Sequence, residues 1–378
     1  MSSRSFWGWT EDDEALMSTI PPGYIPARVT AGYVSSWRVM IPEEGREIQV
    51  QLAGAFHHRG SGPGECPLPR AGDWVALAPS KKVIDRVFPR RTALIRQEAG
   101  RGRRPQVLAA NVDTVFLVFG LDGGRSFSLG LLERFLTVTA GGGVSPVVVL
   151  NKADCAAPGQ EEHIVCQVRA HYADLPLCVT SALHGDGRYT TGLEEVRRRV
   201  PPGKTACFLG RSGAGKSSII NALGAGGRPG EKLIGTAPVS SFHGKGRHTT
   251  STARLWMLPR GFGHDRGGMV IDTPGVREVQ LWGGQDSLGE SFADIDDLAK
   301  DCRFRDCRHQ GEPGCAVQMA VAQGFVPPQR FEHYLEQRQE LDQAATARDA
   351  PARGGGGRPA APARRRRQSR ESRGDQPG

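Results

Sequence analysis

The sequence predicts a multidomain chain: a small β-barrel, then a mainly parallel α/β domain, then a helical region built around a cysteine cluster. Three observations predict it. Residues 24–95 carry short β-like runs punctuated by Gly and Pro. From residue 96 to 284, continuous apolar runs alternate with helical stretches, the pattern of a sheet covered on both faces. Beyond that, residues 285–347 turn polar and helical and hold three of the eight cysteines within fourteen residues.

Composition narrows the classes before any motif is read. At 378 residues the chain can bury more than one core. No apolar run approaches the roughly 18 residues that a membrane-spanning helix needs, and Glu11, Asp12, Asp13 and Glu14 occupy the place of a signal segment's apolar stretch. A cytoplasmic location is expected, with no membrane partner, so the cysteines read as thiols or metal ligands and not as a disulfide frame. The formal charge of +9 and a pI near 9.4 favour a polyanionic partner.

Taken in order, residues 1–23 read as a disordered leader ending at Pro21-Pro22-Gly23. The barrel runs are ARVTAGYVSSWRVMI, EIQVQLAG, DWVALAP and KKVIDRVFP. Their number and size fit a five-stranded OB-type barrel, although periodicity alone does not separate it from an SH3-like one. In the central domain the buried runs are 112–120, 145–152, 175–182, 205–213 and 267–275, with helices expected over 129–140, 161–173 and 193–200. A last helix is expected over 331–347. Residues 348–378, rich in Arg, Gly, Pro and Ala, read as a disordered tail that either binds RNA or serves solubility.

The chemistry sits at the ends of the central runs. Gly210, Arg211, Ser212, Gly213, Ala214, Gly215, Lys216, Ser217 and Ser218 form G-x-x-x-x-G-K-S-S between a strand and a helix, the context of a P-loop. Its backbone N–H groups turn inward on phosphates, Lys216 reaches the β/γ oxygens as a catalytic cation, and the Ser217 hydroxyl ligates Mg²⁺. The base is addressed by Asn151-Lys152-Ala153-Asp154, since a carboxylate accepts from guanine N1–H and N2–H₂, which adenine does not offer. Thr180-Ser181-Ala182 follows another strand and matches the small-residue loop behind the base. Asp272-Thr273-Pro274-Gly275 supplies a second Mg²⁺-side carboxylate, with the Gly275 N–H at the γ-phosphate. Gly246-Arg247-His248-Thr249-Thr250 is where the switch threonine belongs, Thr249 or Thr250.

Each signal is short and ambiguous alone, but together they describe a GTP site. Their order is unusual. GTPases run P-loop first, whereas here N-K-x-D and S-A precede it, so the α/β P-loop GTPase domain is circularly permuted. Strand ends define such a pocket, and chain order does not.

Cys302, Cys307, His309 and Cys315 make a complete tetrahedral set for one structural Zn²⁺ per chain, with no open position. The spacing is not that of common fingers, and buried, redox-inert cysteines are the alternative. Four soft ligands in so short a stretch favour metal.

With these residues in place, the sequence resembles the ribosome small-subunit-dependent GTPase A family (RsgA, also called YjeQ), over residues 24–345. That resemblance implies an N-terminal OB barrel, a permuted GTPase domain and a C-terminal zinc-binding helical domain. It also implies a late-stage assembly factor that binds the immature small ribosomal subunit and its rRNA, is stimulated to hydrolyse GTP to GDP, and leaves. Arg28, Arg38, Arg59 and Arg70 are candidate phosphate contacts of the barrel, with a solvated surface charge as the alternative for each, and a monomer is expected. Val276 follows the D-x-x-G element and cannot orient water, so His248 is the candidate catalytic residue; packing or RNA contact is its bland alternative. The chain departs from the pattern in its acidic leader, the loop 57–69, Ser251 in place of a further threonine, and the Arg-rich tail. Two other functions compete. One is a nucleotide-dependent RNA-binding scaffold in which hydrolysis is incidental; the other is a membrane- or transport-linked GTPase, disfavoured by the missing apolar segments.

Overall fold

The computed structural model describes residues 2–54, 68–97, 105–123, 127–182, 188–224, 253–259, 267–273 and 285–349. His248, Thr249, Thr250, Gly275, Arg59 and the Arg-rich tail lie outside them.

The leader departs from expectation. It folds as two short helices, α1 (Ser3–Phe6) and α2 (Glu11–Ser18). The acidic run Glu11 to Glu14 is the first turn of α2, where carboxylates complement the helix dipole. Thr10 and Asp13 close a reciprocal capping box there. Trp7 is buried, and Trp9 meets Trp74 and Phe88 edge-on at centroid distances of 4.6 and 5.4 Å. Such aromatic pairs are worth about 0.5–1.5 kcal/mol beyond their burial, enough to dock an otherwise polar segment.

The barrel consists of β1 (Ile25–Gly32), β2 (Trp37–Ile41), β3 (Arg46–Leu52), β4 (Trp74–Leu77) and β5 (Val83–Val87). The order β1-β2-β3-β5-β4 closes because β4 also pairs with β1, and β3 runs parallel to β5. This five-stranded closure is the OB-type arrangement. Ala27, Val29, Val39, Ile41, Val50, Val75, Leu77 and Ile84 fill its interior.

Arg28 overturns one expectation. It is fully buried on the outer face of β1, so it is no surface phosphate contact. Its guanidinium donates to the Trp7 carbonyl at 3.1 Å and to the Asn111 carbonyl and Thr205 hydroxyl at 3.3 Å, and lies over the Trp74 ring. Burial pulls its pKa down to about 10. Arg28 therefore pins the leader, the barrel and the central domain to one another. Of the other candidates, Arg38 is half-buried and paired with Glu47 at 3.2 Å, and Arg70 is half-buried.

After a two-stranded ribbon, β6 (Ala93–Gln97) and β7 (Pro105–Ala110), the chain enters the α/β domain. Its strands are β8 (Thr114–Gly120), β9 (Ser145–Asn151), β10 (Leu177–Val179), β11 (Thr205–Leu209), β12 (Arg254–Met257) and β13 (Met269–Asp272). They lie in the order β10-β9-β8-β11-β13-β12, all parallel except β12. Helices α3 (Leu129–Ala140), α4 (Gln160–His171), α5 (Arg188–Arg198) and α6 (Lys216–Gly224) connect them. Alternate residues of each strand serve different cores: Val115, Leu117 and Phe119 face one, Phe116 and Val118 the other. That two-sided burial explains why the sequence shows continuous apolar runs here.

The C-terminal region holds α7 (Gln285–Ser291), α8 (Ala293–Ala299), α9 (Ala316–Ala322) and α10 (Pro328–Asp349). It docks on α3 through a buried polar cluster. Arg330 donates to Glu133 (2.7 Å), Asp294 (2.7 and 2.9 Å) and the Tyr172 hydroxyl (2.8 Å), and His333 Nδ1 lies 2.6 Å from Glu133. Among the described residues, no helix is long and apolar enough to cross a membrane.

Candidate nucleotide site and metal centre

The ends of β8, β9, β10, β11 and β13 converge on one edge of the sheet, and the loops leaving them meet there. The loop after β11 wraps from Gly210 to α6, with Arg211, Ser212 and Gly213 exposed and Ser217 and Ser218 half-buried in the first helical turn. Gly215 has to be glycine: its φ is +93°, and a Cβ would stand 2.1 Å from Asn151 Nδ2. Lys216 is nearly enclosed and donates to the carbonyls of Gly210 (2.8 Å) and Arg211 (3.0 Å), folding its ammonium over the loop. Burial lowers its pKa, and burial likewise raises that of Asp272 at the end of β13, each partly offset by the other's charge. A cation and a carboxylate, both stripped of water at the mouth of a glycine-rich loop, are matched to a magnesium-bound phosphate chain. Thr273 anchors this side, donating from Oγ1 to the Phe208 carbonyl at 3.0 Å.

The base-side residues are knitted to the phosphate side. Asn151 is buried at the end of β9, where its amide donates to the Ala214 carbonyl at 3.0 Å. Its carbonyl accepts from the Thr180 hydroxyl (3.1 Å) and the Ala182 N–H (3.2 Å). One side chain thus clamps three loops. Lys152 takes the left-handed conformation, φ +62°, which turns the chain sharply into a short 3₁₀ helix, Ala153–Cys155. Asp154 stands in that turn, and the Ser181 hydroxyl donates to its Oδ1 at 2.5 Å. A carboxylate held in this way presents a fixed acceptor edge, as recognition of a guanine edge requires.

The anchoring roles of Thr180 and Thr273 are not visible in the sequence. A hydroxyl one residue beyond a buried strand is a signal for such anchoring, but only the fold shows what it reaches.

Cys302, Cys307, His309 and Cys315 present their ligand atoms within 4.8 Å of one another. The Cys302 and Cys315 sulfurs are 3.9 Å apart, and His309 Nδ1 lies 3.7 and 3.3 Å from them. A tetrahedral ion with Zn–S and Zn–N bonds of ordinary length needs edges of about 3.5–3.8 Å, so the donor set fits such an ion. Its surroundings are ordered as well. Gln318 donates its side-chain amide to the His309 carbonyl (3.0 Å) and its backbone N–H to the Cys315 sulfur (3.4 Å).

A model of the RsgA GTPase family matches residues 87–282, the stretch containing every nucleotide-side element above. The chain belongs to the RsgA GTPase family. It is therefore a GTP-hydrolysing enzyme, as the motifs led us to expect. Relatives extend over most of its length. The small ribosomal subunit biogenesis GTPase RsgA of Methanosarcina acetivorans is 35% identical, covering 88% of this chain and 84% of its own. The protein of the same name from Opitutus terrae is 40% identical over 85% of each. Among solved structures, YjeQ from Thermotoga maritima superposes with a TM-score of 0.59 at 28% identity, over 84% of this chain and 98% of that one. YloQ, described as a circularly permuted GTPase, shares the fold with a TM-score of 0.56. The barrel, permuted RsgA core and C-terminal cysteine–histidine cluster thus form one architecture.

Proposed function

We propose that this RsgA GTPase acts on the small ribosomal subunit during its late maturation, binding its rRNA and hydrolysing GTP to GDP and phosphate when the subunit stimulates it. The observation that carries the reading is the junction at Asn151, which ties the P-loop, the Asp154 turn and the Ser181 loop into one preformed pocket. The names of the relatives, small ribosomal subunit biogenesis GTPases, supply the partner. The net charge of +9 suits a polyanionic one.

In this proposal Asp154 accepts from the guanine edge, and the loop from Gly210 to Ser218 cradles the phosphates. Lys216 leaves the Gly210 and Arg211 carbonyls to meet the β/γ oxygens. Ser217, Asp272 and either Thr249 or Thr250 would hold Mg²⁺, whose role is to neutralise charge developing on the transferred phosphoryl group. Gly275 meets the γ-phosphate and His248 orients the attacking water. The cysteine–histidine set holds zinc as a structural ion, and the protein works as a cytoplasmic monomer.

Comparing GTP turnover with and without purified small subunits tests this reading. Stimulation of at least an order of magnitude is expected, since fixing a mobile switch accelerates other GTPases by far more. Equal turnover in both conditions would refute stimulation by the subunit and leave a nucleotide-dependent RNA-binding scaffold in which hydrolysis is incidental.

A further inference from the structure

One charged pair at the pocket joins a motif residue, Lys152, to a residue outside every motif, Asp122. Asp122 lies two residues beyond β8, and its carboxylate forms an ion pair with the Lys152 ammonium. The pair is only partly exposed, at 22% for the Lys152 side chain and 41% for that of Asp122. Gly120, the last residue of β8, shows how closely the parts converge. A Cβ there would lie 2.8 Å from Asp122 Oδ1, 3.5 Å from Ala214 Cα and 3.6 Å from Lys152 Cδ. The space left by the missing side chain is shared by the Asp122 carboxylate, the P-loop backbone and the Lys152 stem.

The stem of Lys152 therefore stands between the loop that takes phosphates and the turn that takes the base. Any molecule spanning the two must lie along it, and what connects phosphate to base in a nucleotide is the sugar. A free lysine chain samples many rotamers, and ordering it opposes binding. Tethered at its far end, the stem is already in place when the ligand arrives, which is preorganisation in the ordinary sense.

We infer that Asp122 is a positioning residue for nucleotide binding: it holds the Lys152 ammonium so that the lysine stem forms the wall of the pocket between the phosphates and the base. The inference rests on the guanine-nucleotide reading of the site and adds a residue to it. Asp122 touches no reacting atom. Its effect falls on affinity, and it falls through Lys152.

The test is steady-state GTP hydrolysis and GTP binding by the full chain, with Asp122→Asn, Lys152→Met, the two combined, and Asp122→Glu. Asp122→Asn is expected to raise KM for GTP about three- to five-fold, the range a part-exposed ion pair supplies, with kcat moved far less. Lys152→Met should lose a similar factor, and the double variant should lose no more than either single one. Asp122→Glu should restore part of the affinity, and added salt should narrow the gap between parent and Asp122→Asn, because salt screens the pair. A purely structural role for Asp122 would instead lower the thermal midpoint of the nucleotide-free protein and leave the salt dependence unchanged. A parent that prefers GTP over ATP, together with an Asp122→Asn variant of unchanged or tighter GTP binding, overturns the assignment of Asp122 alone. Losses that multiply in the double variant do the same. A parent that binds ATP as well as GTP overturns the guanine reading beneath it.

Discussion

Replacing Arg330 by Met should loosen the C-terminal region from the GTPase core, and the structure fixes the size of the effect. Arg330 makes two kinds of ion pair. Asp294 is 46% exposed, and losing that contact costs less than about 1 kcal/mol because water and salt replace it. Glu133 is 1% exposed, and without Arg330 its carboxylate keeps, among the described residues, only His333. Removing one partner of a buried pair typically costs about 3–5 kcal/mol, because the other charge stays behind unpaired. Since His333 remains, the low end, about 3 kcal/mol, is expected. Combining Glu133→Gln with Arg330→Met removes the stranded charge and should recover most of that loss. Hydrogen exchange of the interior amides of α3 and α10 measures the docking free energy directly. The effect should also depend on pH. Burial raises the Asp294 pKa, but the hydrogen bond and charge of Arg330 outweigh it and leave the carboxyl below its usual value. A folded value below the unfolded one means that this contribution is complete above the unfolded pKa of about 4. It is lost as pH falls through the folded value, so the Asp294 part of the difference between parent and Arg330→Met shrinks in acid. Protection factors for Arg330→Met within about 0.5 kcal/mol of the parent would refute the assignment of Arg330 as the buried fastening.

Three further outcomes are expected. Asp154→Asn exchanges an acceptor for a donor opposite guanine N2–H₂ and should shift preference from GTP toward XTP; competition among ATP, GTP and XTP reads it. Purified protein should carry one zinc per chain, and Cys307→Ser should lose it and loosen residues 285–347 while GTP binding persists, because the pocket is built on a separate core; metal analysis and GTP titration check both parts. His248→Ala should keep GTP and subunit binding yet lose most of the subunit-stimulated turnover, measured as phosphate release; a stimulated rate equal to the parent's removes His248 from catalysis.

How much of this was legible in the sequence depends on whether a residue acts with its chain neighbours or across the fold. The expected helix over 129–140 coincides with α3, because its apolar spacing and the Ser128 cap are local signals. The P-loop and Asp154 turn were legible for the same reason, being short segments that begin where a buried strand ends. Arg28 was misread because β1 is covered on both faces, by its own barrel inside and by Trp7 and Trp74 outside, so a charged residue in it carries no mark of burial. The cluster of Glu133, Tyr172, Asp294 and Arg330 joins positions separated by up to 197 residues, and no periodicity reports such a meeting. Asn151 was read as part of a base-binding motif, whereas its contacts show a clamp among loops.

The sheet has a practical consequence for anyone wishing to divide this protein. Ala31 of β1 is paired with Arg254 of β12, and Arg254 is in turn the cross-strand neighbour of Asp272. The Arg254 guanidinium also reaches toward Glu47 of β3, at 3.6 Å. The barrel is thus the outermost staves of the same sheet that carries Asp272. Cutting it away would remove the one bridge, Ala31 to Arg254, by which β12 meets β1, and would uncover the rest of that side of β12, a template for edge-to-edge aggregation. A GTPase core expressed without residues 24–95 should therefore be sticky and poorly behaved even though every nucleotide-binding residue is present.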